Sequence, residues 1–106
     1  MDTAAVRDDV ERFRQCLEKR GVRPARIVLF GSHAKGTAVQ ESDMDLVVVS
    51  ADFARMDYWE RVGIISDVIY ELFIPLDVVA MTPEEWARGD SMVVDFAREG
   101  VVLFAA

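Results

Sequence analysis

Cysteine is almost absent from this sequence. Cys16 is the only one in 106 residues, so no internal disulfide can form, and a Cys/His zinc cluster would lack ligands. Histidine is just as scarce, with His33 standing alone. There is no low-complexity stretch, long linker or internal repeat. No run of about 18 apolar residues occurs, as a membrane-spanning helix requires. The opening residues are acidic and helix-like rather than a basic flank before an apolar core, so no signal peptide is expected and the chain reads as cytoplasmic. Basic residues are also outnumbered, 12 against 19, which leaves a formal charge of −7. Such a surface opposes phosphate backbones, so direct nucleic-acid binding is not expected, nor is any membrane role. A nucleotide ligand stays possible, because a divalent cation inverts the sign locally.

What the sequence does hold is apolar residues, at 52% of the total. The length suits one domain over residues 1–106, and the apolar fraction is more than enough for its core. Surplus apolar surface suggests a partner or a homo-oligomer. Thr3 to Arg20 reads as an amphipathic helix, with Val6, Val10, Phe13 and Leu17 on one face and Gly21 as its stop. Cys16, at the edge of that stripe, reads as a half-buried structural thiol. Arg26 to Phe30 is a short apolar strand, and Asp43 to Val49 a second, apolar on both faces and therefore central. Tyr58 to Phe73 is a helix in which Trp59, Val62, Ile65, Ile69 and Leu72 or Phe73 recur near helical spacing. Leu76 to Met81 is a third strand. Thr82-Pro83-Glu84-Glu85 is a capped helix start, with Thr82 at the N-cap and Pro83 in the first helical position. A last helix runs from Ser91 to Glu99, and Val101 to Phe104 supplies an edge strand. Strands alternating with helices give an α/β or α+β class with one mixed sheet of about four strands.

Three features carry chemistry. Gly31-Ser32-His33-Ala34-Lys35-Gly36-Thr37 follows a strand directly, where glycine lets backbone N–H groups approach an anion and Ser32 adds a hydroxyl. It is not a Walker A loop, because Thr37 stands where that loop's lysine would be. Asp43-Met44-Asp45 places two carboxylates on one face of a strand start. They repel one another unless a cation sits between them, and hard oxygen ligands of this kind suit Mg²⁺. The competing account is that Ser42 and Asp43 cap a turn and Asp45 lies exposed. Asp77 interrupts an apolar strand, where an unpaired carboxylate is costly to bury. It becomes sensible if this strand lies beside the Asp43–Asp45 strand and completes a three-carboxylate cluster, or if it sits at the strand mouth in water.

Gly31-Ser32, ten further residues, then Asp43-Met44-Asp45 before an apolar strand, with Asp77 on a later one, resembles the DNA polymerase β-like nucleotidyltransferase superfamily. The run is most similar to its smallest members, the minimal nucleotidyltransferases, and the likeness extends over nearly the whole chain. The resemblance implies that Asp43, Asp45 and Asp77 ligate Mg²⁺, with two ions expected. It implies that Gly31 and Ser32 hold the β- and γ-phosphates, with Lys35 and Ser42 also at the nucleotide. Asp77 would help deprotonate the attacking hydroxyl. The reaction implied is in-line attack on the α-phosphorus of ATP with release of pyrophosphate. Similar proteins often carry arginine where this chain has His33, and sometimes at Lys35.

Larger transferases of this superfamily add helical domains that bind the acceptor, and none is expected here. Many minimal nucleotidyltransferases pair with a helical HEPN-domain protein, an RNase toxin, and act as antitoxins by adding AMP to it. That pairing is the leading expectation for this chain. Tyr58, Trp59, Phe73 and Trp86 could either exceed what one core needs and contact the partner, or fill the core and its rim. A toxin-binding antitoxin without catalysis, and a transferase acting on an aminoglycoside-like small molecule, are the two alternatives.

Overall fold

The computed structural model describes residues 3–31, 34, 43–89 and 91–106. Helix α1 spans Thr3–Lys19, and its inward stripe is buried as the spacing requires, with Phe13 and Leu17 fully enclosed. Gly21 ends it in the left-handed region, at φ 87°. The Val22 N–H then donates back to the Leu17 carbonyl at 3.0 Å, satisfying a terminal helix acceptor. Strands β1 (Arg26–Phe30) and β2 (Met44–Val49) follow, then a 3-10 helix over Ala51–Arg55 and helix α2 (Tyr58–Leu72). Strand β3 (Leu76–Met81), the short helices α3 (Pro83–Arg88) and α4 (Met92–Arg98), and strand β4 (Val101–Ala105) complete the order. Two helices start with reciprocal capping: Thr82 with Glu85 for α3, as read from the sequence, where Pro83 opens the first turn, and Asp57 with Glu60 for α2, which the sequence reading did not include.

The described strands form one mixed sheet of order β3-β2-β1-β4. β1 runs antiparallel to β2 and β4, whereas β2 and β3 are parallel. A parallel pair needs a crossover, and here the 3-10 helix and α2 provide it. One face of the sheet packs Ile27, Leu29, Leu46 and Val48 against Phe13, Leu17, Phe53 and Val68. The opposite face packs Val28, Val47, Val49 and Met81 against Val94 and Ala97, with Trp86 half-buried at its rim. β2 is covered on both sides, and Asp45 is its one residue that is not buried. The structure thus bears out the mixed sheet of four strands, with β2 central and β4 at an edge.

Local details depart from the sequence reading. α2 ends at Leu72, and Phe73 caps it in the left-handed region at φ 58°, a conformation unusual for an aromatic residue. Of the α2 residues near helical spacing, Ile65 is buried and Ile69 and Leu72 are half-buried, but Trp59 and Phe73 are 75% and 88% exposed. At about 100° per residue, Trp59 lies a third of a turn from Ile65, outside the contact with the sheet. Tyr58 is likewise exposed. The 3-10 helix was not expected, because its five residues are too few to show a period.

Cys16 is more enclosed than a half-buried thiol. Burial pushes its pKa up, reinforced by the Glu71 carboxylate, which accepts from Sγ at 3.0 Å. Arg20 reaches the same Glu71 at 3.0 Å, so α1 and α2 are tied by polar as well as apolar contacts. A second tie anchors the entry to β1. The Arg23 N–H donates to Asp52 Oδ2 at 2.8 Å, while the buried Ser50 hydroxyl donates to the Arg23 carbonyl at 2.8 Å. The Arg23 N–H holds the Asp52 carboxyl below its ordinary value; burial opposes this, and nearby Arg55 supports it.

Because the folded pKa is the lower one, Asp52 stabilises fully above the unfolded value, near 4, and loses its contribution as pH falls through the folded value. Asp52→Asn should therefore lower unfolding free energy by about 1 kcal/mol at pH 7. The difference from the parent should shrink below about pH 4. Urea unfolding across pH 2.5–7 checks this; a constant difference would show that the carboxylate's charge is irrelevant.

Candidate active site

The end of β1 meets the beginnings of β2 and β3, because β1 runs against both. At that end Phe30 pairs with Asp45, and Asp45 pairs with Asp77. Side chains abreast in neighbouring strands share a face, so the Asp45 and Asp77 carboxylates project together from strands about 4.8 Å apart. Both lie on the α3–α4 face, in alternation with Val47, Val49, Val79 and Met81. Asp45 is half-buried, and Asp77 is exposed at the edge strand, so the strand-mouth position resolves how a carboxylate is tolerated there. Asp43 stands one residue before β2 and is exposed.

Gly31 follows the last residue of β1 and adopts φ 74°. A Cβ built there would fall on Asp45 Oδ2 and lie 3.2 Å from its Cγ. The backbone of the turn therefore rests directly against the carboxylate, an approach open only to glycine. Ser32, Lys35 and Ser42, read from the sequence as nucleotide contacts, lie outside the described residues, as do His33, Gly36 and Thr37.

The donor set is carboxylate oxygen alone, with Asp45 and Asp77 abreast and Asp43 two positions upstream on the chain. Among the described residues, no group of three or more His, Cys, Asp or Glu side chains is gathered closely as a metal cluster. The three-carboxylate cluster expected from the sequence is therefore not assembled. Two adjacent carboxylates still match the chemistry of Mg²⁺, which takes one or two protein carboxylates and fills its shell with phosphate oxygens and water.

Two clefts open beside these residues. The smaller, about 270 Å³, lies by the turn between Phe30, Gly31, Ala34, Phe96, Glu99 and Gly100. Gly100 allows it to close, because a Cβ there would collide with the Leu29 carbonyl oxygen. The larger, about 1000 Å³, runs along β3 from Asp77, with Tyr58, Arg61 and Val93 among its walls. Arg61 is held in place: Nη1 donates to Glu85 at 2.8 Å and Nε to the Phe53 carbonyl at 3.1 Å. Burial acts to raise the Glu85 pKa, yet the Thr82 N–H and Arg61 outweigh it and leave the carboxyl below its ordinary value. Phe96 of α4 and the Glu99 and Gly100 that follow it could not be placed here from the sequence, since only packing brings residues 96–100 back to position 31.

Residues 10–103 match the family model described as a nucleotidyltransferase domain. Over 72 residues the chain is 35% identical to the candidate protein adenylyltransferase MJ1305 of Methanocaldococcus jannaschii. That stretch covers 67% of this chain and 48% of the relative, so the chain spans about half the length of the curated protein it matches. Among solved structures, a toxin–antitoxin with AMP-PNP superposes with a TM-score of 0.63 at 24% identity, over 91% of this chain and 73% of that one. A candidate nucleotidyltransferase from Sulfolobus solfataricus gives 0.59 at 17% identity, over 96% and 87%. A mutant MntA-HpeT toxin–antitoxin gives 0.59 at 22% identity, over 91% and 73%. At these identities the structural likeness establishes the shared fold.

Gly31→Ala must either open the turn or drive the Asp45 carboxylate aside, and it also places a Cβ at positive φ. It should lower stability by about 1–3 kcal/mol. In a double-mutant cycle, Asp45→Ala should reduce the penalty of Gly31→Ala by removing the clash while leaving the backbone term. Additive losses in urea unfolding would show that the two residues are not in contact.

Proposed function

From the premise that this chain belongs to the nucleotidyltransferase domain family, we propose that it transfers AMP from ATP to a hydroxyl of a partner protein, as the antitoxin of a toxin–antitoxin pair. The observation that carries the transfer reading is the register that sets Asp45 beside Asp77, with the Gly31 turn packed on Asp45. The partner reading draws support from three sources: the resemblance to minimal nucleotidyltransferases, the M. jannaschii relative's name as a protein adenylyltransferase, and the toxin–antitoxin identity of structures with the same fold. The partner proposed is a helical HEPN-type RNase toxin.

In this proposal Asp43, Asp45 and Asp77 would hold Mg²⁺, as a pair of ions. When bound, Mg²⁺ would neutralise charge on the triphosphate and on the departing pyrophosphate. The chain's own residues do the rest. The Gly31 turn, with Ser32, receives the β- and γ-phosphates, while Lys35 and Ser42 add a point charge and a hydroxyl. Asp45 fixes the α-phosphate end against the central strand, which is held rigid by burial on both faces. Asp77, one strand nearer the edge, accepts the proton of the incoming hydroxyl. The oxygen–phosphorus bond to the acceptor forms as the bond to pyrophosphate breaks. A net charge of −7 favours binding of ATP together with a cation that neutralises it.

The test is incubation of the purified chain with α-labelled ATP, Mg²⁺ and the co-expressed product of the neighbouring gene, the proposed toxin. Label should appear on the toxin, vanish with EDTA, and fall at least about a hundredfold in Asp45→Asn and in Asp43→Asn. Neutralisation of the toxin that survives both substitutions together would replace this reading with inhibition by contact. Label found only on an added aminoglycoside would replace the acceptor.

A further inference from the structure

β3 is the terminal strand on its side of the sheet formed by the described residues, and its outer edge faces the larger cleft. The ladder fixes which of its backbone groups are engaged. The Met44 N–H donates to the Pro75 carbonyl at 3.1 Å, and the Ser50 N–H to the Met81 carbonyl at 2.9 Å. In a parallel ladder the engaged positions alternate, so Asp77, Val79 and Met81 turn their peptide groups toward β2. Leu76, Val78 and Ala80 therefore present N–H and C=O outward. All six residue pairs of β2 and β3 are in unbroken register, whereas the β1–β4 pairing at the other side shifts between Ile27 and Val28. An edge left straight and without a bulge is a template for another strand.

We infer that this edge binds the acceptor as an extended segment, added to the sheet as a fifth strand, with its hydroxyl-bearing residue abreast of Asp77. The inference rests on the transferase reading and specifies how the acceptor enters. Its footing is continuity: the cleft includes Asp77 and runs the length of β3, about 17 Å for its six residues. A strand laid there places its side chains in the same alternation as β3. Phe30, Asp45, Asp77 and the acceptor hydroxyl then stand in a row across four adjacent strands, about 4.8 Å apart. The nucleotide end of the row is at the Gly31 turn and the acceptor end at the open edge. Asp77 lies between donor and acceptor, where a proton must be taken.

The occupant's chemistry follows from the walls. Val62, Ile65 and Val93 offer apolar contacts, with exposed Tyr58 stacked edge-on against Trp59 at a ring separation of 5.0 Å. Asp57, Asp77, Glu85, Arg61 and Arg88 line the same cleft, with Arg61 paired to Glu85. The acidic excess at Asp57 and Asp77, in a chain of net charge −7, favours an acceptor segment with basic flanks and opposes a nucleic acid. Backbone pairing supplies affinity without demanding one sequence, as in other cases of strand addition.

The probe is the synthetic peptide Lys-Val-Thr-Tyr-Thr-Val-Lys, compared with the same peptide N-methylated at alternate amides. Titrated into the ¹⁵N-labelled full chain, the first should shift the amides of Leu76, Val78 and Ala80 more than those of Asp77 and Val79. N-methylation should weaken binding at least about tenfold. Ala80→Pro removes an outward N–H at a position where β2 is not served, and should have the same effect on peptide binding and on AMP transfer to the tyrosine. Retained MgATP binding reports that this variant is folded. Equal binding of the methylated peptide, shifts centred on β4, or unmoved β3 amides at millimolar peptide would each overturn the inference. The transferase reading fails separately: the peptide would map to the β3 edge yet take no label from ATP.

Discussion

The parallel pairing of β2 with β3 is the constraint on which the rest of the molecule depends. It sets Asp45 beside Asp77 and leaves β3 as an edge. It also obliges the chain to cross over through α2, which covers one face of the sheet while α3 and α4 cover the other. Apolar burial supplies the force and hydrogen bonding the register. Because side chains alternate along a strand, a slip of one residue would send Asp77 to the opposite face and bring Val78 to the carboxylate row. The buried valines of β2 make that slip costly, so the stability of the core and the geometry of the carboxylates are one property.

The two sides of the sheet divide the labour. The α1–α2 side holds the larger cluster, from Phe13 and Leu17 to Phe53 and Val68. The other side is thinner, covered by helices of six and seven residues, and it carries both carboxylates and the smaller cleft, while the larger cleft opens at the β3 edge between α2 and the α3–α4 layer. A thin layer leaves room for a ligand at the strand ends. The same economy leaves Trp59, Tyr70 and Phe73 outside the core on the far side of α2, more aromatic surface than a domain of this size needs to fold.

Much of the architecture was legible because period is a local property. Val6, Val10, Phe13 and Leu17 announce α1, and the continuous run after Asp45 announces a strand covered on both sides. Thr82-Pro83-Glu84-Glu85 fixes a helix start to the residue. The direction of α2's buried face was less legible, because Trp59 and Phe73 are apolar yet point away from the sheet, and period cannot tell an outward aromatic from an inward one. The 3-10 helix was missed for want of length. At the site, Asp45 and Asp77 could be suspected of meeting, while Phe96, Glu99 and Gly100 could not be connected to Gly31.

The sequence by itself determined the α-helices and strands, the central place of β2, the glycine turn after β1 and the identity of the acidic side chains. Each of these follows from residue type and spacing over a few neighbours. Only the tertiary structure decided that Asp77 stands abreast of Asp45, that the Gly31 backbone leans on the Asp45 carboxylate, and that the β3 edge faces a cleft. The first two relations join residues 32 and 14 positions apart, and the physical reason is that packing of helices across the sheet, not local preference, selects strand order and register.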